Sequence, residues 1–373
     1  MNAGRDTAGV AAPFVTGVAV IIYSCSLTTV HIQPVAVTSL LLCLVFTILL
    51  LADISNLERY VPRWLAVAGA MISCGIFIGS SGIIMSISGM TDAGMLSRAA
   101  SEFGTRLEEA VMSIPFSRPE TGGILNALIT GDRSGIPHEI KEAFRASGAS
   151  HILALSGLHL GIIYAIIRKS LAFIGNTPAA KATRSVLTIA LCCFYTLAVG
   201  AGPSIVRALL FIIISETAML THRSSDLPST LLTAMFIQLI INPLSIKEVG
   251  FQLSYAAVAG IAWIYPWLKS FWPGDTGNEG IMSRGMRWIW NSAAMSISCQ
   301  IATGPLAYIY FRSFPLHFIL TNLIALPLTG LIIPAALATL AASELGICPD
   351  IMVRATEMLV SALSEALQII SVM

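Results

Sequence analysis

Apolar runs of about 20 residues recur along most of the chain, and each is long enough for a helix to cross the hydrocarbon core of a bilayer. Of the 373 residues, 55% are hydrophobic and 11% are charged, whereas a soluble domain keeps roughly a quarter of its residues charged. No strand-like alternation is sustained. We therefore predict an all-α, polytopic integral membrane protein, a helical bundle with about 10–11 transmembrane helices and an external helical segment.

The candidate spans follow from these apolar runs. They lie near residues 10–31, 35–52, 64–88, 151–167, 185–201, 205–220, 228–242, 251–268, 288–311, 316–342 and 352–372. The first is expected to be a retained helix, because no small-residue cleavage site follows it. Pro327 and Pro334 make 316–342 either one kinked helix or two partial ones. The last run, with Glu357 and Glu365, either crosses the membrane or lies along its interface.

The distribution of Lys and Arg between loops predicts the orientation. Basic residues cluster in connections on one side, as in the loop 168–184, whereas the short connections on the other side carry only Lys247 and Arg312. The positive-inside rule then places the N-terminus in the cytoplasm and residues 89–150 outside. The chain is accordingly divided into 1–88 with about three spans, the external segment 89–150, a channel-type region 151–345 and a terminal membrane or interfacial helix 346–373.

The external segment is expected to contain three helices. Apolar residues repeat with helical spacing in the first, and they form a stripe of Leu96, Ala99, Phe103, Leu107, Ala110 and Ile114. A second helix should stop at Gly131, and a third should run from about Pro137 to Gly148. The region is then either a docked helical cap with a solvated basic face or part of a binding surface.

Several catalytic and ligand-binding patterns are incomplete. The run from His138 has Glu142 where a zincin needs its second histidine, and no phosphate-binding G-x-x-x-x-G-K-[ST] loop occurs. His159 follows Ser156 by three residues, so their side chains can hydrogen-bond, but neither an orienting acid nor an oxyanion hole is evident. Seven cysteines lack paired spacing. We expect no catalytic residues, no metal and no cofactor.

Polar side chains within the apolar runs are the strongest functional signal, because an ionisable group at mid-membrane costs about 2.5–3.5 kcal/mol on insertion scales and normally faces protein or water. The candidates are His151, Ser156, Gly157, His159, Ser204, Arg207, Glu216, Gln252 and Ser254. They either line a hydrated passage or hold helices together, His159 as a packing residue and Arg207 by snorkelling. Arg207 and Glu216 are nine residues apart, so each needs a partner elsewhere in the chain, or water.

Several long motifs, in a fixed order, resemble the ComEC-type competence family. The run "LNALITGDRSGIPHEIKEAFRASGASHILALSGLHLGII" (125–163) resembles its signature, and "GAGPSIVRALL" (200–210) resembles its G-x-x-x-S-x-x-R-A segment. The stretches 222–261 and 303–328 resemble its later helix pairs. The resemblance covers about residues 95–345, and it implies an inner-membrane channel that passes single-stranded DNA into the cytoplasm during natural transformation.

The family usually adds an external OB-fold-like domain and a metallo-β-lactamase-like domain. Neither a β-rich insert nor an H-x-H-x-D-H cluster occurs in these 373 residues, so the resemblance implies the membrane competence domain only. The expected partners are single-stranded DNA, an external DNA receptor, a cytosolic motor or single-strand-binding protein, a separate nuclease chain and, where the chain assembles, further copies of itself.

Phosphates crossing a bilayer need positive charge at the entrance. The candidates beside the outer start of the His151 helix are Asp132, Arg133, Lys141 and Arg145. Two alternatives stay open at this point. One is a transporter of a smaller polar or anionic solute, and the other is a non-conducting scaffold subunit that docks a partner through residues 89–150.

Overall fold

The computed structural model describes residues 3–27, 32–51, 63–88, 95–224, 226–272, 281–312 and 317–372. Regular structure within these ranges is helical throughout, without a strand. The all-α prediction is confirmed.

The chain begins with three long helices, α1 (Ala3–Leu27), α2 (Ile32–Leu51) and α3 (Arg63–Ser88). Five shorter elements follow, namely α4 (Met95–Ser113), α5 (Pro119–Ile129), α6 (His138–Ala146), α7 (Ser150–Leu153) and α8 (Gly157–Ser170). Next come α9 (Pro178–Ala198), α10 (Pro203–Leu220), α11 (Leu227–Ile241), α12 (Val249–Ala259) and α13 (Tyr265–Lys269). The last three are α14 (Ile281–Phe311), α15 (Phe318–Glu344) and α16 (Asp350–Val372).

Six helical stretches in the described ranges are long and apolar enough to cross a membrane. They are Thr7–Cys25, Trp64–Ile84, Gly157–Ile174, Pro203–Leu220, Phe318–Glu344 and Asp350–Val372. Two further predicted spans fall on the shorter apolar helices Ile32–Thr47 and Leu227–Ile241. The other three predicted spans fall on α9, on α12 with α13, and on α14. None of these helices has a stretch that is both as long and as apolar as the six above. The chain is a polytopic membrane protein.

Contacts divide the chain into two compact units. Unit 1 contains Met1–Asp92 and Thr221–Tyr255, and unit 2 contains Ala93–Leu220 and Ala256–Met373. This grouping differs from the four-part division predicted from the sequence, which stays a prediction. Its boundary at 88/89 adjoins residues 89–94, which lie outside the described part of the chain.

In unit 1, small residues let helices pack closely. Gly17 in α1 lies against the backbone carbonyl of Ile72 in α3, and Gly75 in α3 lies against that of Phe14 in α1. A Cβ atom at either glycine would collide with backbone. Close helix contact through small residues is typical of membrane helices, where dispersion rather than hydrophobic burial holds helices together.

In unit 2, the buried residues of α4 to α7 pack with α15 and α16 in one apolar cluster. Helix α5 is buried along nearly its entire length, from Thr121 to Ile129. The hydroxyl of Thr321 in α15 donates to the carbonyl of Ser147 after α6 at 2.7 Å. Residues 114–153 are therefore integral to the packing of this unit.

The buried face of α4 matches the predicted stripe only in its second half, where Leu107 and Ala110 pack against the core that contains Ile114. Leu96, Ala99 and Phe103 are exposed, whereas Ala100, Gly104 and Val111 are buried. The helix packs on α9, where Gly104 lies against the carbonyl of Ala198. The prediction was wrong at these positions because close packing here selects the small side chains and leaves bulky apolar ones facing outward.

The predicted span 151–167 is two helices. The chain between α7 and α8 is extended at Ala154 and at Ser156. The apolar run 151–167 is therefore interrupted near its beginning. The run 251–268 is also interrupted, by a π-helical turn at Gly260–Ile264. By contrast, α15 continues through both of its prolines as one helix.

Candidate functional site

The break between α7 and α8 brings three helix ends together in unit 2. Gly131 ends α5 with φ +87°, a backbone conformation that favours glycine, and lies beside the Leu155 side chain. Arg133 donates from Nε to the carbonyl of Leu153 at 3.0 Å, which satisfies an acceptor at the end of α7. Non-helical backbone within a membrane protein is tolerated where it is buried in protein or lines a cavity.

Ser156 and His159 form a reciprocal cap at the beginning of α8. The Ser156 hydroxyl accepts from Leu158 N at 3.3 Å, while His159 Nδ1 lies 3.2 Å from the Ser156 backbone N and 2.9 Å from its Oγ. The predicted serine–histidine hydrogen bond is confirmed. Its geometry is that of a capping box, with histidine in the place usually taken by Glu or Gln.

These contacts determine the tautomer of His159. The backbone N–H of Ser156 donates to Nδ1, so Nδ1 carries no hydrogen and the ring hydrogen is on Nε2. The residue is 1% exposed, and among the residues that the structure describes none pairs with Nε2. His159 thus presents a buried N–H donor at the amino end of α8.

Arg207 lies next to the same helix end. It is buried on α10, and its Nη2 atom is 3.0 Å from the position that a Cβ of residue 157 would occupy. Gly157 therefore makes room for the guanidinium. Ser204 is partly buried one turn earlier on α10. The Arg207 side chain is buried and reaches α8, and its two interpretations, as a lining residue and as a snorkelling residue, stay predictions.

Glu216 lies nine residues further along α10, in a separate polar cluster. Its carboxylate is fully buried and accepts from Tyr164 at 2.7 Å, from Ser185 at 2.6 Å and from Arg168. The expectation that Glu216 needs a partner outside its own helix is confirmed. Sequence reasoning missed these three donors, although Tyr164 and Arg168 share a face of α8 at i,i+4 spacing.

Three other candidates are not part of either cluster. His151 is exposed, and its Nδ1 lies 3.1 Å from the carbonyl of Gly148. Gln252 donates to the Ile246 carbonyl at 2.9 Å and to the Tyr23 hydroxyl at 3.0 Å in unit 1. Ser254 is partly buried in unit 1 as well. Of these three residues, Gln252 has the contacts expected of a polar residue that holds helices together.

The four entrance candidates lie on the loop after α5 and on α6. Asp132 binds the backbone N and the hydroxyl of Ser134, at 3.0 and 2.6 Å, and accepts from Asn126 at 3.2 Å. The bonds from Ser134 hold the pKa of the Asp132 carboxyl below its ordinary value, and the nearby Lys141 ammonium adds to this shift. Arg145 forms an exposed pair with Glu142 at 3.6 Å. Asp132 therefore organises this loop.

Comparison with known proteins assigns a family to this architecture. The family model described as "Competence protein" matches residues 128–373, which include both polar clusters of unit 2. The chain belongs to this competence protein family. No solved structure matches the chain.

Among curated proteins, the chain is 26% identical to "ComE operon protein 3" of Bacillus subtilis over 59% of its own length and 26% of that protein. It is 24% identical to "Uncharacterized protein YcaI" of Escherichia coli over 58% of its length and 28% of that protein. It is 26% identical to "Competence protein ComA" of Neisseria gonorrhoeae over 55% of its length and 28% of that protein. The chain thus matches about a quarter of the length of these curated relatives.

Proposed function

We propose that this protein is the inner-membrane conduit, or part of it, through which single-stranded DNA enters the cytoplasm during natural transformation. The observation that carries this proposal is membership of the competence protein family over residues 128–373. One of the related proteins carries the name "Competence protein ComA". The proposal includes a cytoplasmic N-terminus and an external face for residues 89–150.

The geometry of unit 2 supports a transport role. The extended residues before α8 interrupt a membrane helix, and polar groups gather at the interruption, namely Ser156, His159 and Arg207. Discontinuous helices whose amino ends face a polar site are a recurrent feature of membrane transport proteins. Because His159 caps α8 through Nδ1, the Ser156–His159 pair is explained as a helix cap rather than as a nucleophile and base.

The proposed partners follow from the same reasoning. A strand that enters from outside needs a receptor that delivers it and a nuclease that removes its complement. It also needs a motor or strand-binding protein on the cytoplasmic side, because the chain contains no phosphate-binding nucleotide loop.

The decisive experiment is DNA uptake in a deletion strain of a competent host. Labelled duplex is followed to the outer face of the inner membrane, and marker transfer to the cytoplasm is counted separately. We expect external DNA to accumulate while transformants disappear, with rescue by the wild-type gene. Unchanged transformation in the deletion strain would contradict the proposal and favour a transporter of a smaller anionic solute.

A further inference from the structure

An apolar groove runs along α14 where this helix faces the beginning of α15 in unit 2. Its volume is about 470 Å³, within the range of about 300–1,000 Å³ that is typical of ligand pockets. Its lining includes Ile297, Ile301, Gly304, Pro305 and Tyr308 of α14 and Phe318 of α15. Gln300 contributes as well, but the lining surface is almost entirely apolar. The groove exists because Gly304 and Pro305 bring little side-chain volume to this part of the helix.

Aromatic residues indicate the depth of the groove in the membrane. Trp288 and Tyr308 on α14 are 20 residues apart, with no charged residue between them, and both are more than half exposed. Their separation is about 30 Å along a helix, which equals the thickness of the hydrocarbon core. Since Trp and Tyr concentrate at the two membrane interfaces, Tyr308 marks the interface at one end of the groove.

The length of the groove matches one leaflet. Ile297 and Tyr308 are 11 residues apart, or about 16 Å along the helix, and half of the hydrocarbon core is about 15 Å thick. Asn322 of α15 donates to Ser296 of α14 at 3.3 Å, so the two helices are joined next to Ile297. The groove therefore extends from the interface at Tyr308 to about the middle of the membrane.

The groove is open toward the surroundings of the protein. Ile301 is 53% exposed and Tyr308 is 54% exposed, and Pro305 between them is exposed as well. In a membrane these side chains face lipid. A helix of another protein would cross both leaflets beside α14, whereas the groove ends near the middle, as an acyl chain does.

A positive charge follows the interfacial end of the groove. The backbone N–H of Arg312 donates to the carbonyl of Tyr308 at 3.0 Å, and the Arg312 side chain is exposed. Arg312 thus lies one turn beyond the aromatic residue that marks the interface, at the level of the lipid headgroups. The charge is complementary to a phosphate, which arginine binds in a bidentate manner.

From this arrangement we infer that the groove between α14 and α15 is a binding site for one phospholipid molecule. One of its acyl chains lies along α14 from Tyr308 to Ile297, and its phosphate pairs with the guanidinium of Arg312. The lipid belongs to the leaflet on the Arg312 side, which is the outer leaflet in the orientation proposed above. This site is additional to the conduit and does not depend on it.

The test is native mass spectrometry of the full chain in detergent, titrated with dipalmitoyl phosphatidylglycerol. We expect one lipid to bind more tightly than those that follow. Ile301→Trp fills the groove and should weaken this first binding step about tenfold, which is the equivalent of roughly two methylene groups that are no longer buried. Ile309→Trp is the matched control, because Ile309 is exposed on α14 outside the groove, and it should leave binding unchanged.

A second variant guards against misfolding of Ile301→Trp. Tyr308→Ala removes one wall of the groove at an exposed position and should also weaken the first binding step severalfold. Each variant is compared only if its thermal midpoint stays within a few degrees of wild type.

The phosphate contact is tested separately from the acyl chain. Arg312→Gln should weaken phosphatidylglycerol binding about threefold to fivefold, the range of an exposed ion pair, whereas Lys247→Gln, at the other basic position of the short connections on this side, should not. Dipalmitoylglycerol has the same chains without a phosphate, so wild type and Arg312→Gln should bind it equally.

Two results would overturn the lipid site. One is equal phosphatidylglycerol binding by wild type, Ile301→Trp and Tyr308→Ala. The other is a wild-type dimer that Ile301→Trp converts to a monomer without a change in lipid binding, which would assign the groove to a second copy of the chain. Either result leaves the proposed role in DNA uptake untouched, because that role is tested by transformation.

Discussion

At the scale of single residues, the polar side chains of unit 2 perform two different tasks. Glu216 is saturated by donors from α8 and α9, so it joins three helices. His159 uses one ring nitrogen to cap α8 and leaves the other as a buried donor. The first arrangement is fully hydrogen-bonded, whereas the second leaves a buried N–H without an acceptor among the described residues.

Loss of Glu216 should destabilise the fold strongly. Glu216→Ala removes the acceptor of Arg168, and breaking a buried ion pair from one side costs about 3–5 kcal/mol. We expect the lower end of this range, because the Arg168 side chain is 28% exposed and keeps some access to its surroundings. Thermal unfolding in detergent measures the change.

Tyr164→Phe is the matched control for Glu216→Ala. It removes one hydrogen bond to the same carboxylate and should cost about 1 kcal/mol. If Glu216→Ala proved as mild as Tyr164→Phe, the carboxylate would not be the anchor of this cluster.

At the scale of helices, the beginning of α5 is fastened to α16 by two unequal contacts. The backbone N–H of Arg118 donates to the buried Glu357 carboxylate at 2.7 Å. The Arg118 side chain reaches Glu365 at 3.2 Å, but both side chains are more than half exposed. Because Glu357 is buried and Glu365 is exposed, we expect the Glu357 contact to contribute more to stability.

Substitution of the two glutamates should reproduce this ranking. Glu357→Ala leaves a backbone donor unsatisfied and should cost about 1–3 kcal/mol, whereas Glu365→Ala should change stability by less than about 1 kcal/mol. Hydrogen exchange of the first turn of α5 gives a local readout and should accelerate only in Glu357→Ala. Equal acceleration in both variants would refute the ranking.

The loop after α5 should be sensitive to acid through Asp132. Its folded pKa lies below the ordinary value of 3.8, so its stabilising contribution is present above that value and is lost as the pH falls through the folded pKa. Asp132→Asn should therefore lower the thermal midpoint at pH 7 and matter progressively less below about pH 4.

The exposed carboxyl of Glu102 on α4 supplies the comparison for this pH series. Glu102→Gln should leave the thermal midpoint at pH 7 close to that of wild type, because surface substitutions usually change stability by less than about 0.5 kcal/mol. A constant difference between Asp132→Asn and wild type from pH 7 to pH 3 would contradict the role of the carboxylate in holding the loop.

At the scale of the whole molecule, the chain combines two helical units with membrane-crossing segments in each. The proposed orientation places the loop after α5 outside and the loop between α8 and α9 inside. The basic residues Arg168, Lys169, Lys181 and Arg184 flank the second loop, which is the distribution that the positive-inside rule assigns to the cytoplasm.

Cysteine labelling tests this orientation. In a variant whose seven native cysteines are replaced, Ser134→Cys should react with a membrane-impermeant maleimide in intact spheroplasts. Lys181→Cys should react only after permeabilisation, since both positions are exposed on the protein itself. The opposite pattern would reverse the proposed topology.

The sequence alone predicted the helix type and the approximate position of the long membrane elements, because apolar length is a local property. It also predicted the contact between Ser156 and His159, three residues apart, although it placed both within one helix and not at a helix start. Other features depend on residues distant in the chain. The exposure of Leu96, Ala99 and Phe103 on α4 was not predicted, because the helix packs on α9, which lies about a hundred residues later in the chain.

Only the tertiary structure decided which polar groups meet. Arg207 on α10 lies next to Gly157 on α8, and Glu216 on α10 accepts a hydrogen bond from Ser185 on α9. The spacing of these residues in the sequence does not predict either contact. The sequence determined that charged groups would be buried in a membrane protein and would need partners. Packing of helices decided the partners, because the free energy of a buried charge depends on what surrounds it in space rather than along the chain.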